Sequence, residues 1–231
     1  MRARLGDMSN PVVLLHGFTG SVASTWKPTG LMDLLADFGK ECIPIDLPGH
    51  GLSEQKSHDP DDYAELEAKL LASLPEGPLD GVGFSAGARI LLVMAALEPE
   101  RWGKLVVAGV GNNLFERDTG RGERIAQGIA GDAADDDPMA QAFSRYASEP
   151  GQDPAAMAAF MRRTHGKLGP DEYARIAAPT AVVLGTNDFA GPADPLMDAL
   201  PNATLHSLRN VDHFATPKDF GFIDAVLGHL A

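Results

Sequence analysis

The sequence predicts an α/β fold in which a mostly parallel sheet of about six strands is flanked by helices. Two observations predict it: short apolar runs recur along the chain, and segments with apolar residues at helical spacing separate them. A strand that is buried on both faces reads as an unbroken apolar run, and such strands are typical of parallel sheets. The 231 residues show no internal repeat or linker, so we expect a single domain over residues 1–231.

Strands are expected where apolar, β-branched residues cluster, at 12–15, 42–46, 79–82, 104–110, 180–185 and 204–208. Pro44 lies inside the second of these runs and indicates an irregular hydrogen-bond ladder there. Apolar residues at helical spacing predict helices past Pro28 and at 61–74, 89–97 and 220–230.

Residues 111–179 differ in character from the rest of the chain. This stretch is rich in Ala, Asp, Arg and Gly, has helical patches at 139–147 and 154–165, and lacks a convincing strand. It is long for a crossover, so we expect a helical cap insertion over the sheet edge where active sites lie. The acidic run 132–137 is interpreted as a solvated turn and not as a cation site.

Bulk composition excludes several classes of function. A formal net charge of −13 argues against nucleic acid or an anionic membrane as a partner. The chain has no long apolar span, and its basic start lacks the apolar segment of a signal peptide. Lone Cys42 fits a reducing compartment, so a cytoplasmic location is expected. The histidines lack ligand spacing; we expect neither a metal nor a cofactor, and the oligomeric state stays open.

The run Gly-Phe-Ser-Ala-Gly at 83–87 closes one predicted strand and opens one predicted helix. Strand, sharp turn and helix form the context in which G-x-S-x-G predicts a nucleophile elbow. At its tip Ser85 adopts a strained backbone, and side chains at 83 and 87 would collide with the neighbouring strand and helix. The helix N-terminus behind Ser85 aims free N–H groups at negative charge that forms beside it.

Four more motifs each follow a predicted strand: His-Gly at 16–17, Asp-Leu-Pro-Gly-His-Gly-Leu-Ser at 46–53, Gly-Thr-Asn-Asp at 185–188 and Asp-His-Phe at 212–214. With the elbow they resemble the α/β-hydrolase superfamily, and the resemblance spans nearly the whole chain. It implies the α/β-hydrolase fold and a triad in the chain order Ser, Asp, His.

A serine hydroxyl needs a base to take its proton. His213 is the candidate base, since it follows the last predicted strand, and Asp188 matches the acid position that would fix the imidazole tautomer. Asp212 is a rival acid, but a side chain next to His213 in a turn is expected to point elsewhere. The remaining histidines are weaker candidates for the base: His16, His50, His58, His165, His206 and His229. The resemblance places His16 and His50 in loops that serve as scaffold in the family.

The resemblance also implies an oxyanion hole formed by the backbone N–H groups of Phe18 and Ala86. Candidate substrate-binding side chains are Trp26, Phe84 and Arg89. A helix arginine that neutralises nearby acids is the competing interpretation of Arg89.

The favoured function is hydrolysis of a small carboxylic ester through an acyl-enzyme on Ser85. The elbow with Arg89, the 16–21 loop and Trp26 also resembles the 2-succinyl-6-hydroxy-2,4-cyclohexadiene-1-carboxylate synthases of menaquinone biosynthesis, lyases whose arginines hold substrate carboxylates. For that activity Arg117, Arg121 and Arg124 are candidates for a second arginine, while Phe84 departs from the tyrosine usual there. Hydrolysis of a C–C bond or a thioester stays open, as does a non-catalytic binding protein of the same fold.

Overall fold

The computed structural model describes residues 9–116, 120–132 and 136–231. Within these ranges one parallel sheet has the strand order β2-β1-β3-β4-β5-β6. Its strands are β1 Val12–Leu15, β2 Cys42–Ile45, β3 Leu79–Phe84, β4 Trp102–Ala108, β5 Thr180–Gly185 and β6 Ala203–Leu208. The order reverses between β1 and β3, and ligands of such sheets bind at the carboxyl ends of the strands there. The predicted α/β class and the six parallel strands are confirmed.

Helices connect the strands and cover the sheet. They are α1 Leu31–Asp37, α2 Leu66–Ser73, α3 Ala86–Leu97, α4 Arg121–Gln127, α5 Pro138–Ala147, α6 Pro154–Arg162, α7 Pro170–Ala174, α8 Asp194–Ala199 and α9 Phe220–Leu230. Helices α4 to α7 lie between β4 and β5, in the stretch expected to be helical. None of the helices in the described ranges is long and apolar enough to cross a bilayer.

Alternate residues of each strand point to opposite faces, and each face has its own core. Val13 and Leu15 pack on the face covered by α2, α3 and α8, while Val12 and Leu14 pack on the face covered by α1 and α9. Buried residues of α4, α5 and α6 belong to the first of these cores. The helices between β4 and β5 therefore pack on the same side as α3, which begins right after Ser85.

The structure corrects one helix and explains one irregular strand. The predicted helix at 61–74 is broken, because Glu65 has φ 55° and separates a one-turn helix at Pro60–Tyr63 from α2. Buried Tyr63 donates its hydroxyl to the Ser57 carbonyl at 2.7 Å, which ties that turn to the preceding loop. Pro44 is tolerated because β2 is an edge strand that pairs only with β1.

Candidate active site

Ser85 lies at the tip of the turn between β3 and α3, with φ 53° and ψ −113°. A non-glycine residue at positive φ is strained and needs surrounding contacts to hold it. Here the Ser85 N–H donates to the Ala108 carbonyl at 2.8 Å. A Cβ at Gly83 would lie 2.6 Å from Cα of Ala88, and one at Gly87 would lie 2.2 Å from the Leu15 carbonyl oxygen. The two glycines thus let strand, turn and helix close around the serine.

The structure brings the side chains of Ser85, His213 and Asp188 together, although they are far apart in the sequence. Nε2 of His213 lies 2.9 Å from Oγ of Ser85. Nδ1 of the same ring lies 2.9 and 3.0 Å from the two Asp188 carboxylate oxygens. The carboxylate is an acceptor, so Nδ1 carries the proton of the neutral ring and Nε2 is left to accept one.

Two loops fit closely together to create that geometry. Gly185 ends β5, and a Cβ there would lie 2.1 Å from the Val211 carbonyl oxygen. That carbonyl accepts the Asn187 N–H at 3.0 Å. Oδ1 of Asp188 also accepts the Ala190 N–H at 2.8 Å, which fixes the carboxylate. The rival acid is used elsewhere, since Oδ1 of Asp212 accepts the N–H of Ala215.

Aromatic rings enclose the imidazole. The ring of Phe189 lies 4.2 Å from that of His213, and the ring of Phe84 lies 5.0 Å from it on centroids. His213 is only 3% exposed and Asp188 9%. The His–Asp pair is therefore screened from water, which strengthens its electrostatic interaction. Phe189 was not predicted from the sequence, where only its position next to Asp188 marks it.

Two backbone amides are available beside Ser85. In the described part of the chain, the N–H groups of Phe18 and Ala86 have no hydrogen-bond acceptor. Ala86 is the first residue of α3, where amides are free by geometry. Phe18 follows Gly17, at which a Cβ would lie 2.8 Å from the Phe84 ring and 3.3 Å from Cβ of Ser85. Gly17 thus allows the loop after β1 to lie against the elbow.

His16 and His50 are fully buried in the loops after β1 and β2. Nε2 of His16 accepts the Leu47 N–H at 3.0 Å, so protonation there would break the bond. Burial lowers the pKa of His16 to about 4 and that of His50 to about 3. Asp46 accepts the N–H groups of Val22 at 2.6 Å and Leu52 at 2.8 Å. The 46–53 loop therefore acts as a scaffold that holds the loop after β1.

A solvent-open cleft with a volume of about 110 Å³ lies beside the elbow. Four aromatic residues and the Ser24–Thr25 turn line it, with Glu149 and Lys218 adding charge. The aromatic residues are Phe18, Phe84, Tyr146 and Phe214. Tyr146 is on α5 and stacks on Phe214 with ring centroids 5.2 Å apart. Phe84 was predicted to contact substrate and lines the cleft, whereas Tyr146 carries no motif in the sequence.

Two predicted substrate-binding residues lie away from this cleft. Trp26 is fully buried, and its ring stacks on Phe222 of α9 at 6.3 Å, in the core on the opposite face of the sheet from α3. Its assignment as a substrate-binding residue is therefore corrected to core packing. Arg89 points to the loop after β4, where Nη2 donates to the Asn113 carbonyl at 3.4 Å. Among the described residues it forms no salt bridge within 4 Å, but burial lowers the pKa of its guanidinium and the charge of Glu67 opposes that shift, so an acid does lie near enough to act on Arg89.

Two of the candidate second arginines, Arg121 and Arg124, form ion pairs and do not line the cleft. Arg121 pairs with Glu116 at 3.3 Å and Arg124 with Asp137 at 3.3 Å. Arg117 lies outside the described residues. No group of His, Cys, Asp and Glu side chains in the described ranges is arranged to hold a metal ion.

The fold and these motifs are those of one protein class. Residues 12–221 match the family model described as "Alpha/beta hydrolase family". The chain belongs to the alpha/beta hydrolase family.

Relatives within the family differ in their named activities. The chain is 32% identical over 117 residues to an esterase of Mycobacterium tuberculosis, a match that covers 49% of this chain and 37% of that protein. It is 28% identical to a 2-hydroxy-6-oxononadienedioate/2-hydroxy-6-oxononatrienedioate hydrolase of Pseudomonas putida, over 91% of this chain and 84% of that one. It is 36% identical to a 2-succinyl-6-hydroxy-2,4-cyclohexadiene-1-carboxylate synthase of Escherichia coli, over 42% of this chain and 37% of the synthase.

A solved structure of a marine microorganism esterase superposes with a TM-score of 0.68 at 18% identity, covering 97% of this chain and 96% of that one. At this identity the likeness concerns the fold alone. The matches to the Mycobacterium tuberculosis esterase and to the Escherichia coli synthase each span about a third of the relative's own length.

Proposed function

We propose that this chain is a serine hydrolase that cleaves small carboxylic esters, with Ser85 as nucleophile, His213 as general base and Asp188 as the acid that orients it. The observation that carries the proposal is the pair of contacts from one imidazole, Nε2 to Oγ of Ser85 at 2.9 Å and Nδ1 to Asp188 at 2.9 Å. Such an arrangement activates a hydroxyl that is a weak nucleophile by itself.

The reaction proceeds in two halves. Oγ of Ser85 attacks the ester carbon while its proton passes to Nε2 of His213, and the N–H groups of Phe18 and Ala86 stabilise the negative oxygen. The imidazolium then protonates the leaving alcohol as the C–O bond breaks, which leaves an acyl group on Ser85. A water molecule gives its proton to His213 and attacks the acyl carbon. The bond from that carbon to Oγ of Ser85 then breaks, the proton on His213 returns to Oγ, and the acid is released.

The cleft supports a small substrate that carries both apolar and polar groups. Its volume is about 110 Å³, and aromatic rings of Phe84, Tyr146 and Phe214 form part of its wall. We further propose that residues 111–179 act as a cap, because α5 supplies Tyr146 to this cleft. The proposed partner is thus a small molecule, and the single cysteine is consistent with a cytoplasmic location.

Turnover of p-nitrophenyl acetate and butyrate tests the ester proposal. Ser85→Ala should lower kcat by about 10³-fold or more with folding intact. Ser73→Ala is the matched control, since its exposed hydroxyl only donates to the Leu70 carbonyl. Equal turnover by wild type and Ser85→Ala would overturn the proposal.

Hydrolysis of a C–C bond next to a ketone is a second candidate. The Pseudomonas relative favours it, because that match covers most of both chains. Ser85, His213 and Asp188 would carry out either reaction, so a comparison of substrates distinguishes the two. A vinylogous diketone that is turned over faster than every ester in the panel would favour hydrolysis of a C–C bond. Pyruvate release from the menaquinone precursor would favour the synthase reaction, although Arg89 faces Asn113 and not the cleft.

A further inference from the structure

One side chain of the segment between α5 and α6 contacts two loops of the candidate active site. Nε2 of Gln152 donates to the Thr19 carbonyl at 3.1 Å. Its Oε1 accepts the Gly51 N–H at 3.1 Å. One partner is an acceptor and the other a donor, so the amide fits in a single orientation. Gln152 therefore joins the loop after β1 to the loop after β2.

The backbone around Gln152 is itself fixed. Asp153, the next residue, caps α6 by accepting the Ala156 N–H at 3.0 Å. Its other oxygen lies 3.2 Å from Nε2 of His58. Gly49 lies so close to the start of α6 that a Cβ there would be 3.1 Å from the Ala156 carbonyl oxygen. The hydrogen bonds of Asp153 thus tie the residue next to Gln152 to α6 and to the loop after β2.

The bonded carbonyl belongs to a strained residue. Thr19 has φ 60°, a conformation that is strained for a β-branched residue and persists only where surrounding contacts offset the strain. Thr19 directly follows Phe18, whose N–H is a proposed oxyanion donor. The Phe18 ring packs against Phe143 of α5 at 5.7 Å and Phe160 of α6 at 6.1 Å. The hydrogen bond from Gln152 adds a directional restraint to this apolar packing.

We propose that Gln152 is a positioning residue for the oxyanion hole, acting through Thr19 to hold the N–H of Phe18 in place. The inference rests on the proposed acyl transfer at Ser85. Through Gln152, the helical segment between β4 and β5 contributes to the rate of acyl transfer as well as to the shape of the cleft. An oxyanion donor acts on the transition state, so its displacement lowers kcat more than it raises KM.

Two variants separate the contacts. Gln152→Glu keeps the length and the acceptor for Gly51 but loses the donor to Thr19, whereas Gln152→Ala loses both. Gln127→Ala is the matched control, since among the described residues that glutamine of α4 bonds Glu123 alone, at 3.1 Å. The measurements are kcat and KM for p-nitrophenyl butyrate, and amide hydrogen exchange of residues 17–20, where the Gly20 N–H donates to the Gly17 carbonyl at 3.0 Å.

We expect Gln152→Glu and Gln152→Ala to lower kcat by about 10- to 100-fold, with KM within about threefold of wild type. Exchange in the 17–20 loop should become faster in both, and the control should match wild type. Wild-type kcat in Gln152→Glu, or unchanged exchange in both variants, would overturn the inference. If Ser85→Ala hydrolyses esters like wild type, the proposed function fails while the exchange comparison still decides whether Gln152 holds the loop.

Discussion

The carboxyl edge of the sheet and the helices between β4 and β5 are held together in different ways. At the edge, backbone carbonyls leave no space for a Cβ at Gly87 or Gly185, and polar contacts of 2.8–3.0 Å fix the loops. The helical segment packs on the edge mainly through rings such as Phe143 and Phe160. Its own helices are joined by exposed ion pairs, for example Arg162 with Glu123 at 2.9 Å.

This difference indicates a division of labour. Reaction geometry requires atoms placed within a fraction of an ångström, which close backbone packing and buried hydrogen bonds supply. Apolar packing is not directional, and exposed ion pairs contribute only about 0–1 kcal/mol each. We infer that residues at the carboxyl edge of the sheet carry out the reaction and that the helical segment determines the substrate range. Gln152 connects the two regions.

The largest expected effect is at the edge. His213→Ala removes the group that accepts the Ser85 proton, so kcat for p-nitrophenyl butyrate should fall by about 10³-fold or more. His206→Ala changes a histidine within β6, the outermost strand of the sheet, and should keep the wild-type rate. Most of the activity remaining in His213→Ala would show that another group is the base.

A pair of glycine substitutions compares the stability of the two regions. Gly87→Ala puts a Cβ 2.2 Å from the Leu15 carbonyl oxygen, so the free energy of unfolding should drop by several kcal/mol, or the protein should fail to fold. Gly122→Ala lies in α4 with its nearest neighbour, Sδ of Met161, at 3.7 Å. It should raise the free energy of unfolding by about 0.5–1 kcal/mol, because alanine favours a helix. Urea unfolding measures both, and equal effects at the two sites would remove the distinction.

Two buried histidines at the edge should make stability depend on pH between about pH 6.5 and 4.5. Buried His16 and His50 have pKa values of about 4 and about 3 in the folded state, against about 6.5 when unfolded. The unfolded chain binds more protons in this window, so the free energy of unfolding falls as the pH falls through it. In the helical segment, hydrogen bonds from Arg162 lower the pKa of Glu123. The contribution of Glu123 to stability is therefore lost only at a more acidic pH than this window.

Urea titrations at pH 7, 6, 5 and 4.5 check this, with His50→Asn as the variant. The slope of stability against pH should be shallower in the variant than in the wild type. An identical slope would mean that His50 takes up no proton on unfolding.

The smallest expected effect concerns the cleft wall. Tyr146→Ala removes a ring that is 41% exposed and stacks on Phe214. The ratio of kcat/KM for butyrate over acetate esters should change by about 3- to 10-fold, since the two methylene groups that distinguish these esters contribute little binding energy in an open cleft. Phe115→Ala, which removes an exposed ring outside the cleft, should leave the ratio unchanged. No change in Tyr146→Ala would exclude α5 from substrate selection.

Most of the sheet and its edge loops could be predicted from the sequence because their signals are local. Unbroken apolar runs marked β1 and β5 to the residue, and glycine spacing marked the elbow around Ser85. The approach of His213 to both Ser85 and Asp188 could be expected from chain order and from strand ends that share one edge.

Contacts across the sequence carried no such signal. Trp26 stands near the glycine-rich loop in the sequence, yet its ring turns into the opposite core against Phe222. Asp80 was counted in an apolar strand, but it is buried beside Lys40 at 3.0 Å. Gln152 joins loops that are distant in the chain, and neither a periodicity nor a motif marks it.

The most direct test of the triad is covalent labelling with a fluorophosphonate, followed by intact mass and peptide mapping. The account predicts a single adduct on Ser85 in the wild type, no adduct in Ser85→Ala, and labelling of His213→Ala slowed by orders of magnitude, because the hydroxyl then lacks its base. An adduct on another residue, or equal labelling of wild type and Ser85→Ala, would contradict it.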